Sequence, residues 1–438
     1  MTQGFTRSSG CRCGLVATAL LLAAGGRIAP GADASGSPKK AKPKFELKDG
    51  DRVVFLGNTL IEREQQYGYW ETMLTARYPD RKIIFRNLGW DGDTVWAESR
   101  GLFDPPEKGY ARLLAHVGRI KPTVLFLGYG NNEAFAGKPG LPRFVKQYNK
   151  LLDDLTRVSA KGVRFVLLSP IEHEKHNALP VDPRPYNQTL ARYAAEIQRI
   201  ANNRKMSFID LIESMKESNK ALLDGRPYSV NYTDNGLHLN SSGYSLLSTT
   251  IEITLFGSFG SANRKSRRVK TPKGVRIERY QAILSKAEDT ESGIRFQCKL
   301  NQLPKPGFMY SLFANGLPKG AYWIRVDKKK VVDSGFPSGH REFERGVRFA
   351  VWPDAKQFES LRQTIIAKNR LYFHSWRPQN VTYLFLFRKH EQGQNAKEMK
   401  EFQRLVAAKE KEIDRLKKPV TRTYELIRVK AKKAKGGK

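Results

Sequence analysis

Cysteine is nearly absent: three occur in 438 residues, two of them (Cys11 and Cys13) near the N terminus, which leaves Cys298 alone in the rest. A disulfide framework is therefore excluded within the mature chain, and stability must come from a packed core. Cys298 itself reads as a small residue in a β-strand. Acidic residues are also few, 43 against 77 Lys and Arg, for a formal charge of +34. A working environment that contains something acidic is expected. The glycine-rich phosphate loops G-x-x-x-x-G-K-[ST] and G-x-G-x-x-G are missing, so no nucleotide cofactor is implied. No G-x-S-x-G elbow is present, which disfavours an ordinary α/β-hydrolase lipase. His173-Glu174-Lys175-His176 spaces its histidines three apart rather than the four of a zinc helix, so no metal site is expected there. Aromatic-basic RNP patterns, zinc-finger spacing and helix-turn-helix signatures are likewise absent, so nucleic acid is not an expected partner.

One apolar run stands out, Gly14 to Ala24, preceded by Arg7 and Arg12 and followed by Ala32-Asp33-Ala34. It is about half of the ~20 residues that span a bilayer. Residues 1–34 therefore read as a secretory signal peptide cleaved near Ala34, and the protein as exported, periplasmic or extracellular, with no transmembrane segment in the mature chain. A Ser, Pro and Lys-rich linker follows over 35–47. Charge is uneven beyond it: residues 1–260 hold 35 basic and 26 acidic side chains, residues 261–438 hold 42 and 17. For an exported chain this points to an anionic polysaccharide or cell-surface polymer as a partner of the second part.

From Asp51 onward short β-branched runs, VVFLG (53–57), KIIFRNLG (82–89), TVLFLGYG (123–130) and VRFVLLSP (163–170), alternate with segments of helical spacing, with a fifth short strand at 208–211. This alternation predicts a parallel sheet covered by helices on both faces, a flavodoxin-like three-layer α/β/α sandwich over 48–258. Residues 270–352 read as a small β-rich module of short strands. A mixed, helical region follows over 355–418, with a long helix expected from 395 to 417 and the aromatic run at 371–390 read as a late strand; 419–438 reads as a basic tail.

In such a sheet the site lies at the carboxyl ends of the strands. The loops there read Gly57-Asn58-Thr59-Leu60, Asn87-Leu88-Gly89-Trp90-Asp91-Gly92-Asp93-Thr94 and Gly130-Asn131-Asn132-Glu133, and Thr233-Asp234-Asn235-Gly236-Leu237-His238 comes late in the domain. This ordered set resembles the SGNH/GDSL hydrolase family. The resemblance implies hydrolysis of an ester, with acylated carbohydrates as the expected substrates, without a metal or organic cofactor. Carried over by position, Thr59 supplies the hydroxyl nucleophile, the Gly92 N–H and the Asn132 amide form the oxyanion hole, and His238 is the base.

Two departures from the family pattern are visible. Thr59 stands where the family has Ser, after Asn58 in place of Asp, so the hydroxyl is secondary and its χ1 restricted. Asn235 stands where the family has the carboxylate that orients the histidine, and Asp234 or Glu133 is the substitute. These departures leave two readings, a Thr-dependent esterase and a catalytically impaired scaffold that binds anionic polysaccharide. Trp90 and Trp96, which flank the second loop, are expected to form a sugar-stacking surface.

Overall fold

The computed structural model describes residues 45–176, 181–223, 231–257, 267–279, 282–305, 310–318, 321–331, 341–342, 347–349, 354–378, 381–392 and 397–429. The expected signal peptide and most of the linker lie outside them. Among the described residues no helix is long and apolar enough to cross a membrane.

Five parallel strands, β1 (Arg52–Gly57), β2 (Ile84–Asn87), β3 (Val124–Gly128), β4 (Arg164–Leu168) and β5 (Ser207–Ile209), form one sheet in the order β2-β1-β3-β4-β5. That is the doubly wound order of flavodoxin-like folds, in which the chain reverses direction between β1 and β3. The β-branched runs produce it because both faces of the central strands β1, β3 and β4 are buried. Val53 and Phe55 enter one core, and Val54 and Leu56 enter the other.

Helices α1 (Thr59–Tyr67), α2 (Tyr69–Arg77), α6 (Leu211–Leu223) and α7 (Ser241–Phe256) cover the first face through Ile61, Trp70, Leu74, Met215, Tyr244 and Ile251. Helices α3 (Pro106–Ile120), α4 (Leu141–Val158) and α5 (Arg184–Asn203) cover the second through Val117, Tyr148, Leu152, Tyr193 and Ile197. Their apolar residues recur every three or four positions, as an amphipathic helix on a sheet requires.

The β-rich region forms two antiparallel sheets around a separate core that includes Ile277, Phe296, Cys298, Leu312 and Leu426. One sheet contains β6 (Arg267–Lys270), β7 (Arg276–Arg279), β10 (Tyr310–Asn315) and β14 (Val347–Phe349). The other contains β8 (Ala282–Thr290), β9 (Gly293–Leu300), β11 (Ala321–Val326), β12 (Lys329–Val331), β13 (Arg341–Glu342) and β15 (Thr421–Arg428).

Strand β15 corrects the sequence reading, which put 419–438 in a tail. Residues 421–428 pair with β9 on one side and β11 on the other, with Tyr424 and Leu426 turned into the core. The alternation of Tyr424, Leu426 and their polar neighbours is a period-2 strand signal that the lysine-rich residues after it masked. The remaining tail residues, 430–438, lie outside the described set.

The aromatic run is a second correction. Residues 371–376 end helix α8 (Asp354–Trp376) instead of forming a strand, because Phe358, Leu361 and Ile365 set a helical period that the run continues until Pro378. After two single turns, α9 (Val381–Leu384) and α10 (Lys389–Gln392), helix α11 (Met399–Leu416) packs on α8. The α8 helix in turn docks on the sandwich: buried Lys368 pairs with buried Glu71 at 2.5 Å, and Arg362 donates to the Tyr67 carbonyl at 2.6 Å.

Candidate active site

Thr59 is the first residue of α1, directly after β1. Asn58 caps the helix, its side chain accepting from the Leu60 N–H at 3.1 Å while its own N–H donates to the Gly128 carbonyl at 3.1 Å. The capping role explains why a short polar residue suits position 58. It also fixes the orientation of Thr59, whose hydroxyl accepts from the Gly92 N–H at 3.2 Å.

Gly92 has φ +70°, a left-handed conformation that glycine adopts without strain. The loop that carries it is tied to α1 at several points. Asn87 donates to the Ile61 carbonyl at 2.7 Å and accepts from the Gly89 N–H at 2.8 Å, and the Glu62 carboxylate accepts from the Asp91 N–H. At Gly89 a Cβ would come within 2.3 Å of the Glu62 nitrogen, so only glycine permits this approach. Burial raises the Glu62 carboxyl, opposed by the Arg377 guanidinium at 2.8 Å.

Asn132 follows β3 and donates one amide N–H to the Asp93 carbonyl at 2.8 Å. Glu133 next to it is buried, and its carboxylate accepts from the Val95 N–H at 2.9 Å and the Gly130 N–H at 2.8 Å. Desolvation pushes its pKa up to about 7 against those two bonds. Glu133 therefore splices the second loop to the end of β3 and does not orient His238, which corrects one of the two expected substitutes.

The late loop is built around Asn235 and Glu174. Glu174 accepts from the Thr233 N–H at 3.0 Å and hydroxyl at 2.6 Å. Asn235 Oδ1 accepts from the N–H groups of Leu237 at 3.1 Å and His238 at 2.9 Å, which leaves its Nδ2 facing His238 Nδ1 at 3.2 Å. Two backbone donors on Oδ1 fix the amide orientation, so Nδ1 is the acceptor of this bond and the neutral imidazole carries its hydrogen on Nε2. Asp234 points elsewhere. Its carboxylate is 55% exposed and sits 3.5 Å from Arg63, and its contact with the loop is a backbone bond to the His238 carbonyl. It acts on the imidazole through its charge alone, raising a His238 pKa that burial first and Arg63 second hold below the usual value.

Thr59, Asn132 and His238 line one pocket of about 180 Å³, together with Asn58, Arg63, Asn131, Phe135, Ile171, His173, Leu237 and Tyr186. His173 was set aside at the sequence level as part of a failed zinc motif. Asn187 clasps its backbone with two bonds of 2.9 Å, and its ring lies 4.7 Å from that of Tyr186, which stacks at 4.7 Å on the 74% exposed Phe135. Its position beyond the end of β4 was the available signal. Arg63 lies one helical turn after Thr59 on the same face of α1, a spacing equally open to reading.

The two tryptophans are corrected. Trp90 is 6% exposed, with the Arg377 guanidinium 3.6 Å from its ring and Trp376 beside it, so its faces are occupied by protein. Trp96 packs on the second core with Arg143 at 4.6 Å. Neither lines the pocket. Among the described residues no group of three or more His, Cys, Asp or Glu could hold a metal ion.

Residues 53–246 match the GDSL-like Lipase/Acylhydrolase family. The match spans the parallel sheet and its helices, somewhat under half of the chain. The four polar loops above, on which the resemblance rested, fall within the matched residues. Among solved structures, a gut microbial diltiazem-metabolizing enzyme aligns with a TM-score of 0.62 at 15% identity, over 88% of this chain and 99% of its own. At that identity the likeness is one of fold, and its extent takes in the β-rich and C-terminal regions as well as the GDSL-like domain. A catalytic mutant of an acetylxylan esterase from Geobacillus stearothermophilus covers 50% of this chain and 98% of its own, at 18% identity and a TM-score of 0.38. No curated protein matches the chain.

Proposed function

We propose that this pocket cleaves an oxygen ester of an acylated carbohydrate in an exported protein, by way of an acyl group on Thr59. The observation that carries the reading is the Gly92 N–H held 3.2 Å from the Thr59 oxygen, in a pocket lined also by Asn132 and His238. In the reaction the Thr59 hydroxyl gives its proton to His238 Nε2 as the oxygen attacks the ester carbonyl, a step open to the minor tautomer whose hydrogen is on Nδ1. Gly92 N–H and the second Asn132 amide hydrogen then meet the developing oxyanion, each such donor being worth about 3 kcal/mol in the transition state. The imidazolium returns the proton to the departing sugar hydroxyl, and water releases the acyl group by the same steps in reverse.

Asn235 favours a second reading. An amide that donates to Nδ1 stabilises the tautomer with hydrogen on Nε2, which cannot accept the threonine proton. On this reading the domain is an impaired hydrolase, and the protein serves to bind anionic polysaccharide through its more basic second part.

Hydrolysis of an activated acetate ester by the mature protein, beside Thr59→Ala, Thr59→Ser and His238→Ala, separates the two. Turnover by the parent that alanine at either site abolishes supports the esterase. An inert parent that Thr59→Ser makes active supports the impaired scaffold.

A further inference from the structure

The pocket has an uneven charge. Arg63 is the one Lys or Arg in its lining, which holds no carboxylate, and burial disfavours the charged forms of His173 and His238. The one ion pair of Arg63 within 4 Å among the described residues is with Asp234, at 3.5 Å and more than half exposed. Arg63 makes no hydrogen bond among the described residues, and its Nε is shielded from solvent without an acceptor. A guanidinium has five N–H donors in a planar fork that matches a carboxylate in bidentate fashion. An exposed single contact at 3.5 Å contributes little and is readily exchanged.

Part of the lining is aromatic. Phe135, Tyr186 and His173 form a continuous stack, ring to ring at 4.7 Å, whose outermost member is three-quarters exposed at the pocket mouth. Such a face suits a pyranose ring, which stacks its C–H groups on aromatic planes. A ring placed there shares the pocket with Thr59 and with Arg63, which lies one helical turn after Thr59.

We propose that Arg63 is the specificity residue of the pocket and binds a carboxylate on the sugar, so that the substrate class is an O-acylated uronic acid and not an acylated neutral sugar. This rests on the pocket being the ester site. Binding would replace Asp234 with the substrate carboxylate on the guanidinium fork, in a setting drier than the rim where the ion pair now lies. The exchange requires no movement of α1, because Arg63 already faces the pocket.

Two measurements test the proposal separately from the function beneath it. In the first, steady-state hydrolysis of acetylated oligouronates is compared with that of acetylated xylo-oligosaccharides at pH 8. The acidic series should have a KM at least 10-fold lower. Arg63→Ala should remove that advantage with little change in kcat, Arg63→Lys should keep part of it, and Asp234→Asn should lower KM further by freeing the guanidinium. In the second, binding of the unacetylated trisaccharides to Thr59→Ala is followed by calorimetry, which needs no turnover. Uronate binding that Arg63→Ala abolishes, in a parent inert on every ester, would uphold the inference while the esterase reading fails. Equal KM values for the two series, or uronate binding that survives Arg63→Ala in a variant with an unchanged melting temperature, would overturn it.

Discussion

Asn235 Nδ2 lies 3.2 Å from His238 Nδ1, and the amide cannot turn over without giving up the two backbone N–H groups bound to its oxygen. The histidine is thereby held with its hydrogen on the nitrogen that catalysis needs empty. Asn235→Asp keeps one oxygen on the backbone donors and offers the other to Nδ1–H. The exchange should raise kcat by on the order of 10²-fold or more, the reverse of the loss that an Asp to Asn change causes in a serine-protease triad. Pre-steady-state and steady-state assays on an activated ester would measure it, and an unchanged kcat would show that the tautomer does not limit the reaction.

His238 titrates below its usual value of 6.5 because burial disfavours the imidazolium and Arg63 repels it, while Asp91 and Asp234 act in the opposite direction. A base must be neutral, so activity is present above this pKa and lost as pH falls through it. The acid limb of kcat/KM should therefore lie below pH 6.5. In Arg63→Ala, with the repelling cation gone, the limb should move up towards that value.

Arg377 reaches from the end of α8 to Glu62 at 2.8 Å, and Glu62 in turn holds the Asp91 N–H beside Gly92. Arg377→Ala should loosen the oxyanion loop and reduce kcat by on the order of 10-fold with KM little altered, as a small misplacement of a donor does. Arg377→Lys should recover part of the loss. Equal loss in both parameters, or none, would place Arg377 outside the positioning of the loop.

Trp90 is enclosed by Arg377, Trp376 and Arg100. Its replacement by alanine should cost about 3–5 kcal/mol of stability, the usual range for a buried large aromatic. Chemical denaturation measures this cost directly. A rise in KM at unchanged stability would restore the sugar-stacking role expected from the sequence.

Glu64 is buried, with one carboxylate oxygen on the Trp70 N–H at 2.8 Å and the other without a hydrogen bond among the described residues. Desolvation pushes its pKa up to about 8. The folded state thus binds a proton that the unfolded chain releases near pH 4.5, and the resulting stability is present at low pH and declines as pH rises towards 8. Glu64→Gln, which stays neutral, should flatten this decline between pH 5 and 8, by on the order of a few kcal/mol at the upper end. Parallel slopes for the two proteins would remove Glu64 as the source.

The GDSL-like domain was legible because its central strands β1, β3 and β4 are buried on both faces and so are written as local apolar runs, and because its polar loops follow those strands at once. The errors came where partners are distant in sequence. Trp90 looks like a surface aromatic until Trp376 and Arg377 arrive from 286 and 287 residues downstream to cover it. His173 was weighed only as a metal ligand, although the end of β4 placed it at the site mouth. Asn235 reads in the sequence as an amide where the family has the orienting carboxylate, and the structure sets its Nδ2 against His238 Nδ1. The orientation of that amide, however, depends on two backbone N–H groups that only the folded turn aligns.

Strand β15 has a consequence for how the chain is made. It lies between β9 and β11 with about 95 residues of other structure intervening after β11. Until residues 421–428 leave the ribosome, the facing edges of β9 and β11 have no partner in this sheet, and unpaired edges are templates for intermolecular pairing. The β-rich unit therefore closes only once Arg428 has been made, whereas the helices and strands of the GDSL-like domain are complete by residue 256. Loss of the last 20 residues would leave a finished pocket attached to an open, aggregation-prone sheet.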